Sequence, residues 1–93
     1  MAIGIRIKVA GGTAEMIDRL NAEIDPDGNP PDGLLFHASG PVEGGWGVLD
    51  FWKSRAHFDR FAAERITPAM AAIGAAGQPE IHEFAIHEHF PRQ

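Results

Sequence analysis

Ile3, Ile5, Ile7 and Val9 alternate with Gly4, Arg6 and Lys8, the period of two expected of a strand with one apolar and one polar face. Gly11-Gly12 ends it. Thr13 is placed to cap a helix, and Glu15 suits the first turn, where the helix dipole favours a carboxylate. Met16, Ile17, Leu20 and Ile24 recur at helical spacing, which predicts a helix to about residue 24. From Asp25 to Gly33 the run DPDGNPPDG reads as a turn-rich connector. Its start looks faintly like a calcium loop, but Gly28 is in the wrong place and Phe36 stands where the closing glutamate belongs.

Leu34 to Ser39 is predicted as a second strand, Gly40 to Gly45 as a hairpin connection, and Trp46 to Trp52 as a third strand. Ser54 is placed to cap a long second helix, along which Phe58, Phe61, Ala62, Met70 and Ile73 keep helical phase. Thr67-Pro68 reads as an N-cap followed by proline at the first helical position, so a kink or fresh start is expected there. Gly74 and Gly77 end the helix. Glu80 to Phe90 is the last strand. The order βαββαβ over residues 1–93 predicts one α+β domain of ferredoxin-like form. Its four-stranded antiparallel sheet carries both helices on one face, with the first strand between the third and fourth.

Setting Ser39 opposite Trp46 puts His37 opposite Val48 and Leu35 opposite Asp50, and opposed residues share a face. One face then holds Leu34, Phe36, Ala38, Leu49 and Phe51. With Ile3, Ile5, Ile7, Phe84 and Ile86 this apolar set is expected under the helices, interrupted only by His82. The other face holds Arg6, Lys8, Leu35, His37, Trp46, Val48, Asp50, Trp52, Glu83, His87 and His89, with Arg6 near Asp50 or Glu83. Two tryptophans on a helix-free face are costly to leave in water. This face is therefore expected to bury itself against a second copy of the chain, giving a homodimer anchored by Trp46 and Trp52.

Eight basic against thirteen acidic residues give a net charge of −5, which argues against nucleic acid as a partner. Arg55, Arg60 and Arg65 alternate with Asp59 and Glu64 as on a solvated helix face. The chain has no cysteine, which excludes disulfides and thiolate metal sites. No run approaches a membrane span, and the first residues lack the apolar core of a signal peptide. A cytoplasmic protein is the expectation.

The segment Asp50-Phe-Trp52-Lys-Ser54-Arg-Ala-His-Phe58-Asp-Arg-Phe61 resembles the W-x-S-x-x-x-F segment of the dimeric α/β-barrel superfamily, above all its antibiotic-biosynthesis-monooxygenase-like members. The run from Gly33-Leu-Leu-Phe-His37 through Ser39-Gly40-Pro41 and Glu43-Gly-Gly-Trp46 to Asp50-x-Trp52 is similar to a group of small actinobacterial-type proteins. The resemblance implies a dimer of ferredoxin-like domains. It also implies an activity drawn from cofactor-free oxygenation of anthrones or quinols, haem degradation, or polyketide cyclisation. Phe61 and Met70 stand where haem-degrading members carry a tryptophan and a ligand histidine, so no haem is expected.

His37, on a strand interior, could act as a general base near neutral pH, or it could be a structural histidine bonded to Asp50. Asp50 with Arg6 could orient it or hold a substrate oxygen, or could form a buried ion pair. Trp46 and Trp52 could stack on an aromatic substrate, or pack a dimer. His82 could serve as a base in a pocket lined by Phe36, Phe61, Met70 and Phe84, or sit at the core edge with its nitrogens bonded to backbone. His87 and His89 form an H-x-H pair near the chain end that reads as exposed or interfacial, and no metal site is expected. His57, in the first turn of the second helix, is expected to face solvent. Two functions fit: a small enzyme without metal or organic cofactor that abstracts a proton from an aromatic or polyketide-like molecule, or a non-catalytic homodimer that binds a small ligand or serves as a structural module.

Overall fold

The computed structural model describes residues 2–75 and 79–91. The chain runs β1 (Ile3–Ala10), α1 (Ala14–Ile24), β2 (Leu34–Val42), β3 (Gly45–Trp52), α2 (Arg55–Phe61), a π-helical turn (Ala62–Ile66), α3 (Thr67–Ala72) and β4 (Glu80–Ala85). The four strands form one antiparallel sheet in the order β2-β3-β1-β4, with β1 between β3 and β4 as the pattern predicts. This is the ferredoxin-like arrangement expected from the element order.

Local chemistry sets most boundaries. Thr13 Oγ1 accepts the Met16 N–H at 3.2 Å and starts α1. Ser54 Oγ accepts the His57 N–H at 3.3 Å and starts α2. At the far end of α1 the Arg65 guanidinium donates to the carbonyl oxygens of Ile24 and Asp25, placing a cation at the negative end of the helix dipole. Arg65 also lies over the Phe61 ring, so it leaves the solvated row in which the sequence pattern put it. Arg55 and Arg60 do form i,i+4 pairs with Asp59 and Glu64, at 2.8 and 3.5 Å.

The connection between β2 and β3 is tighter than expected. It is the two-residue turn Glu43-Gly44 rather than the six residues from Gly40 to Gly45, and Gly44 takes the positive φ of 80° that such turns demand. Tightening the turn moves the register by two, so that Pro41, Ser39 and His37 face Trp46, Val48 and Asp50. A register shift between Leu34 and Phe36 lets Leu34 pair with Trp52.

The helical run passes Pro68 without the N-cap expected of Thr67, whose backbone is helical at φ −59° and ψ −48°. The irregularity lies just upstream, where the π-helical turn precedes the residue that lacks an N–H. Gly74, at φ 71°, ends the run, and Gly77 lies outside the described residues. β4 stops at Ala85, so His87 and His89 follow the strand rather than belong to it.

The core decides which side of each strand faces the helices. Ile3, Ile5, Trp52 and Phe58 form its buried cluster, and Ile5 and Trp52 are 0 % exposed. The Trp52 ring meets Phe58 edge-on at 5.8 Å and Phe61 at 5.3 Å. Ile3 and Ile5 are therefore inward, as expected. Their β3 partners are Trp52 and Asp50, and His37 is the β2 partner of Asp50. Trp46, Val48, Asp50, Trp52 and His37 thus lie on the helix side, where the sequence pattern put Phe36, Ala38, Leu49 and Phe51.

The latter four form the open face with Gly4, Arg6 and Lys8. Parity along β4 is likewise reversed: His82 and Phe84 pair with Arg6 and Gly4 on the open face, and Glu83 pairs with Ile5. The cause is that an apolar set on β2 and β3 is as consistent with a covered outer face as with a core, and only contact with α2 separates the two. Truncating Trp52 to alanine should cost about 3–5 kcal/mol, as for a fully buried aromatic. Arg60→Ala should change stability by less than about 0.5 kcal/mol. Urea denaturation of both variants checks this.

Candidate active site

Asp50 is 4 % exposed and is the single charged residue among those buried in the described part of the chain. It sits two residues before Trp52, so the strand period puts both side chains on the helix side. There Trp52 Nε1–H donates to Asp50 Oδ2 at 3.3 Å. The other carboxylate oxygen, Oδ1, lies 2.6 Å from His37 Nδ1 across the β2–β3 pair. An ionised carboxylate only accepts hydrogen bonds, so the proton of this contact belongs to Nδ1. The neutral imidazole then carries its lone pair on Nε2, which has no hydrogen-bond partner among the described residues.

The His37 side chain is 44 % exposed against 6 % for Asp50. A fixed, buried carboxylate thus orients a reachable base. The hydrogen bond that His37 donates to Asp50 raises the His37 pKa above 6.5, desolvation opposes it, and the carboxylate charge adds to the rise.

The helix side is not evenly covered. Ile5 and Trp52 are completely buried, whereas Ile7 and Val48, one pleat toward the hairpin, are only half-buried and Ile81 is 41 % exposed. The helices close over one end of the sheet and stand off from the other. His37, on the edge strand β2, is at the margin between the two.

The residues singled out from sequence separate into two groups. His37 and Asp50 meet on the helix side. Arg6 pairs with Leu49 and His82 on the open face, so it cannot reach Asp50. Trp46 shares the helix side with Asp50 but lies four residues along the strand, and its buried Nε1 has no partner among the described residues. Phe61 packs on Trp52, and Met70 is half-buried on α3. Phe36 and Phe84, at 45 % and 42 % exposed, are on the open face. The expected pocket of Phe36, Phe61, Met70, Phe84 and His82 is therefore divided by the sheet.

His57 does not simply face solvent. Its Nδ1 is 2.7 Å from Ser54 Oγ, its Nε2 is 3.9 Å from Asp32 Oδ2, and its ring covers Gly33, where a Cβ would collide with it. The Trp52–Asp50 bond was readable from the D-x-W spacing. The Asp32–His57 contact had no sequence signal, because a nine-residue connector hides which loop residue returns to α2. Among the described residues no three histidine or carboxylate side chains converge as a metal site.

No family model matches the chain, and no curated protein matches it in sequence. Several solved structures do resemble it along almost the whole length. SnoaB, a cofactor-independent oxygenase from Streptomyces nogalater, is 19% identical with a TM-score of 0.62, over 98% of this chain and 96% of that one. Rv0793 from Mycobacterium tuberculosis is 14% identical with a TM-score of 0.71, over 97% and 99%. A candidate antibiotic biosynthesis monooxygenase from Caulobacter crescentus CB15 is 20% identical with a TM-score of 0.70, over 94% and 91%.

The chain shares their fold. This agrees with the resemblance carried by Trp52, Ser54 and Phe58. Among the described residues no helix is long and apolar enough to cross a membrane.

The dyad has a signature that needs no substrate. His37 should titrate above 6.5 by NMR, and Asp50→Asn should bring it down, because the largest raising cause is removed while desolvation stays. A folded-state pKa above the unfolded value means the dyad contributes stability below pH 6.5 and loses it as pH rises through the His37 pKa. Wild type should therefore lose more stability than Asp50→Asn across that window, as measured by denaturation at a series of pH values.

Proposed function

We propose that this chain is a cofactor-independent enzyme in which His37 abstracts a proton from an aromatic or polyketide-like substrate. The observation that carries the reading is a histidine whose Nδ1 is held by a buried carboxylate and whose Nε2 has no hydrogen-bond partner among the described residues. The proton goes to Nε2, and the imidazolium formed is balanced by Asp50. The Trp52 N–H keeps the second oxygen of Asp50 occupied, so the carboxylate does not turn from the histidine. The substrate enters over Ile7 and Val48, where the helices stand off from the sheet. Its anion then reacts according to the substrate, by oxygenation with dioxygen as co-substrate, by cyclisation or by isomerisation. SnoaB, which has this fold, is a cofactor-independent oxygenase, and that likeness supports the class of chemistry.

The enzyme works as a homodimer through its open face, with different anchors from those the sequence suggested. Phe36, Val42 and Phe84 are 45 %, 46 % and 42 % exposed there beside Leu49 and Phe51. The Phe36 and Phe51 rings are 5.1 Å apart. An apolar sheet face of this kind on a small domain suits an isologous contact with a second copy. Trp46 and Trp52, being on the helix side, take no part.

Ligands are found first by thermal shift with hydroxylated anthrones and quinols. On a confirmed substrate, His37→Ala should lower turnover about a hundredfold or more, and the rate should rise with pH through the raised His37 pKa. His57→Ala should leave turnover close to wild type. A reaction that survives loss of His37 sinks the proton-abstraction reading. A panel without any melting shift favours the non-catalytic dimer instead. Separately, Phe36→Asp with Phe84→Asp should give a monomer by light scattering at micromolar concentration, where wild type should be a dimer. A monomeric wild type overturns the assembly.

A further inference from the structure

Arg6 and His82 fall together in a place that the reaction above does not use. On the open face, Ala38, Leu49, Arg6 and His82 form one row across the four strands, and Gly40, Gly47, Lys8 and Glu80 form the next. Gly40 and Gly47 are direct partners, and of the two only Gly40 is open, because a Cβ on Gly47 would meet Val42 Cγ1 at 2.7 Å. A Cβ built on Gly40 would meet nothing within 4 Å. The result is an open trough of about 840 Å³ whose floor is Gly40 and the Val42 side chain over Gly47, and whose walls carry Leu49, Arg6, Lys8 and His82.

Arg6 and Lys8 have no ion-pair partner among the described residues. Two carboxylates also line the trough. Glu80 is the cross-strand neighbour of Lys8 and opposes its charge, and Glu43 is on the hairpin turn beyond Val42. The register partners of Arg6 are Leu49 and His82, neither of them a carboxylate, so its guanidinium stands beside an apolar wall and the open backbone of Gly40. A guanidinium in such a setting binds an anionic oxygen through charge-assisted hydrogen bonds, while the floor accepts a flat apolar body.

We propose that this trough is a second ligand site, for a small apolar anion such as an aryl carboxylate or sulfonate. Its charged group lies on Arg6, and its ring system lies on Gly40 against Val42. In the open-face dimer the second copy covers the trough, and a bound anion supplies the counter-charge that Arg6 needs once it leaves water. The site is on the opposite side of the sheet from His37 and rests on no part of that reading.

The probe is 1-anilinonaphthalene-8-sulfonate, followed by its fluorescence, with neutral N-phenyl-1-naphthylamine as the matched uncharged ring system. Wild type should bind the sulfonate more tightly. Arg6→Ala should weaken sulfonate binding about tenfold or more, the scale of one hydrogen bond to a charged group, and leave the neutral probe within about twofold. Arg6→Lys should retain part of the preference. Gly40→Leu, whose side chain has room to enter the trough, should abolish binding of both probes with the fold intact by circular dichroism. His37→Ala should alter neither, so failure here and failure of the proposed reaction are read separately.

Equal binding of the two probes by wild type overturns the proposal, as does a sulfonate affinity that Arg6→Ala leaves unchanged. So does a dimer that falls apart on Glu80→Gln while sulfonate binding is absent, because the second copy's own carboxylate would then be the occupant.

Discussion

Trp52 ends β3 with its side chain completely enclosed by Phe58, Phe61 and the β1 isoleucines. Because side chains alternate along a strand, burying this one ring assigns every other residue of β3 to a side. Val48 and Asp50 follow it inward; Leu49 and Phe51 are turned out. The pairing to β2 then carries the choice across the hairpin and sends His37 in and Phe36 out. One aromatic contact with α2 therefore determines which residues can form a site and which must be covered from outside.

A buried carboxylate is the main cost of that choice. Removing Asp50 from water is unfavourable unless its oxygens are satisfied, and both are, by His37 Nδ1 and Trp52 Nε1. The ring that forces the carboxylate inward is also one of the two donors that stabilise it there. Core packing and site chemistry are accordingly not separable in this chain. The same arrangement fixes the tautomer of His37, since an acceptor on one nitrogen leaves the lone pair on the other.

The outward side inherits the complementary problem. Phe36, Phe51 and Phe84 gather at the level of Gly4, where a Cβ would collide with the Phe84 ring. That half of the face is suited to packing against another surface. The half nearer the hairpin is hollow at Gly40, where a Cβ would meet nothing, and it is charged, because Arg6, Lys8, Glu43 and Glu80 line it. The strand alternation that makes a core on one side thus leaves an aromatic surface and a trough lined by charges of both signs adjoining each other on the other.

How much of this was legible in the sequence follows from which interactions are local. The period of two in Ile3–Val9, the caps at Thr13 and Ser54, and the glycine at Gly74 act within a few residues, so they could be read directly and gave the element order and the fold. That His37, Asp50 and Trp52 share one face was also readable, because parity within a hairpin survives a register error of two. What could not be read was which side of β2 and β3 the helices cover. Phe36, Ala38, Leu49 and Phe51 form the more apolar set, and burial preference alone puts them inside. They are displaced by Trp52, whose contacts with Phe58 and Phe61 exist only once α2 has folded back over the sheet. The sequence by itself determined the elements and the membership of each face. Tertiary structure alone decided which face is inside, because a strand has two equivalent sides until something packs against one of them.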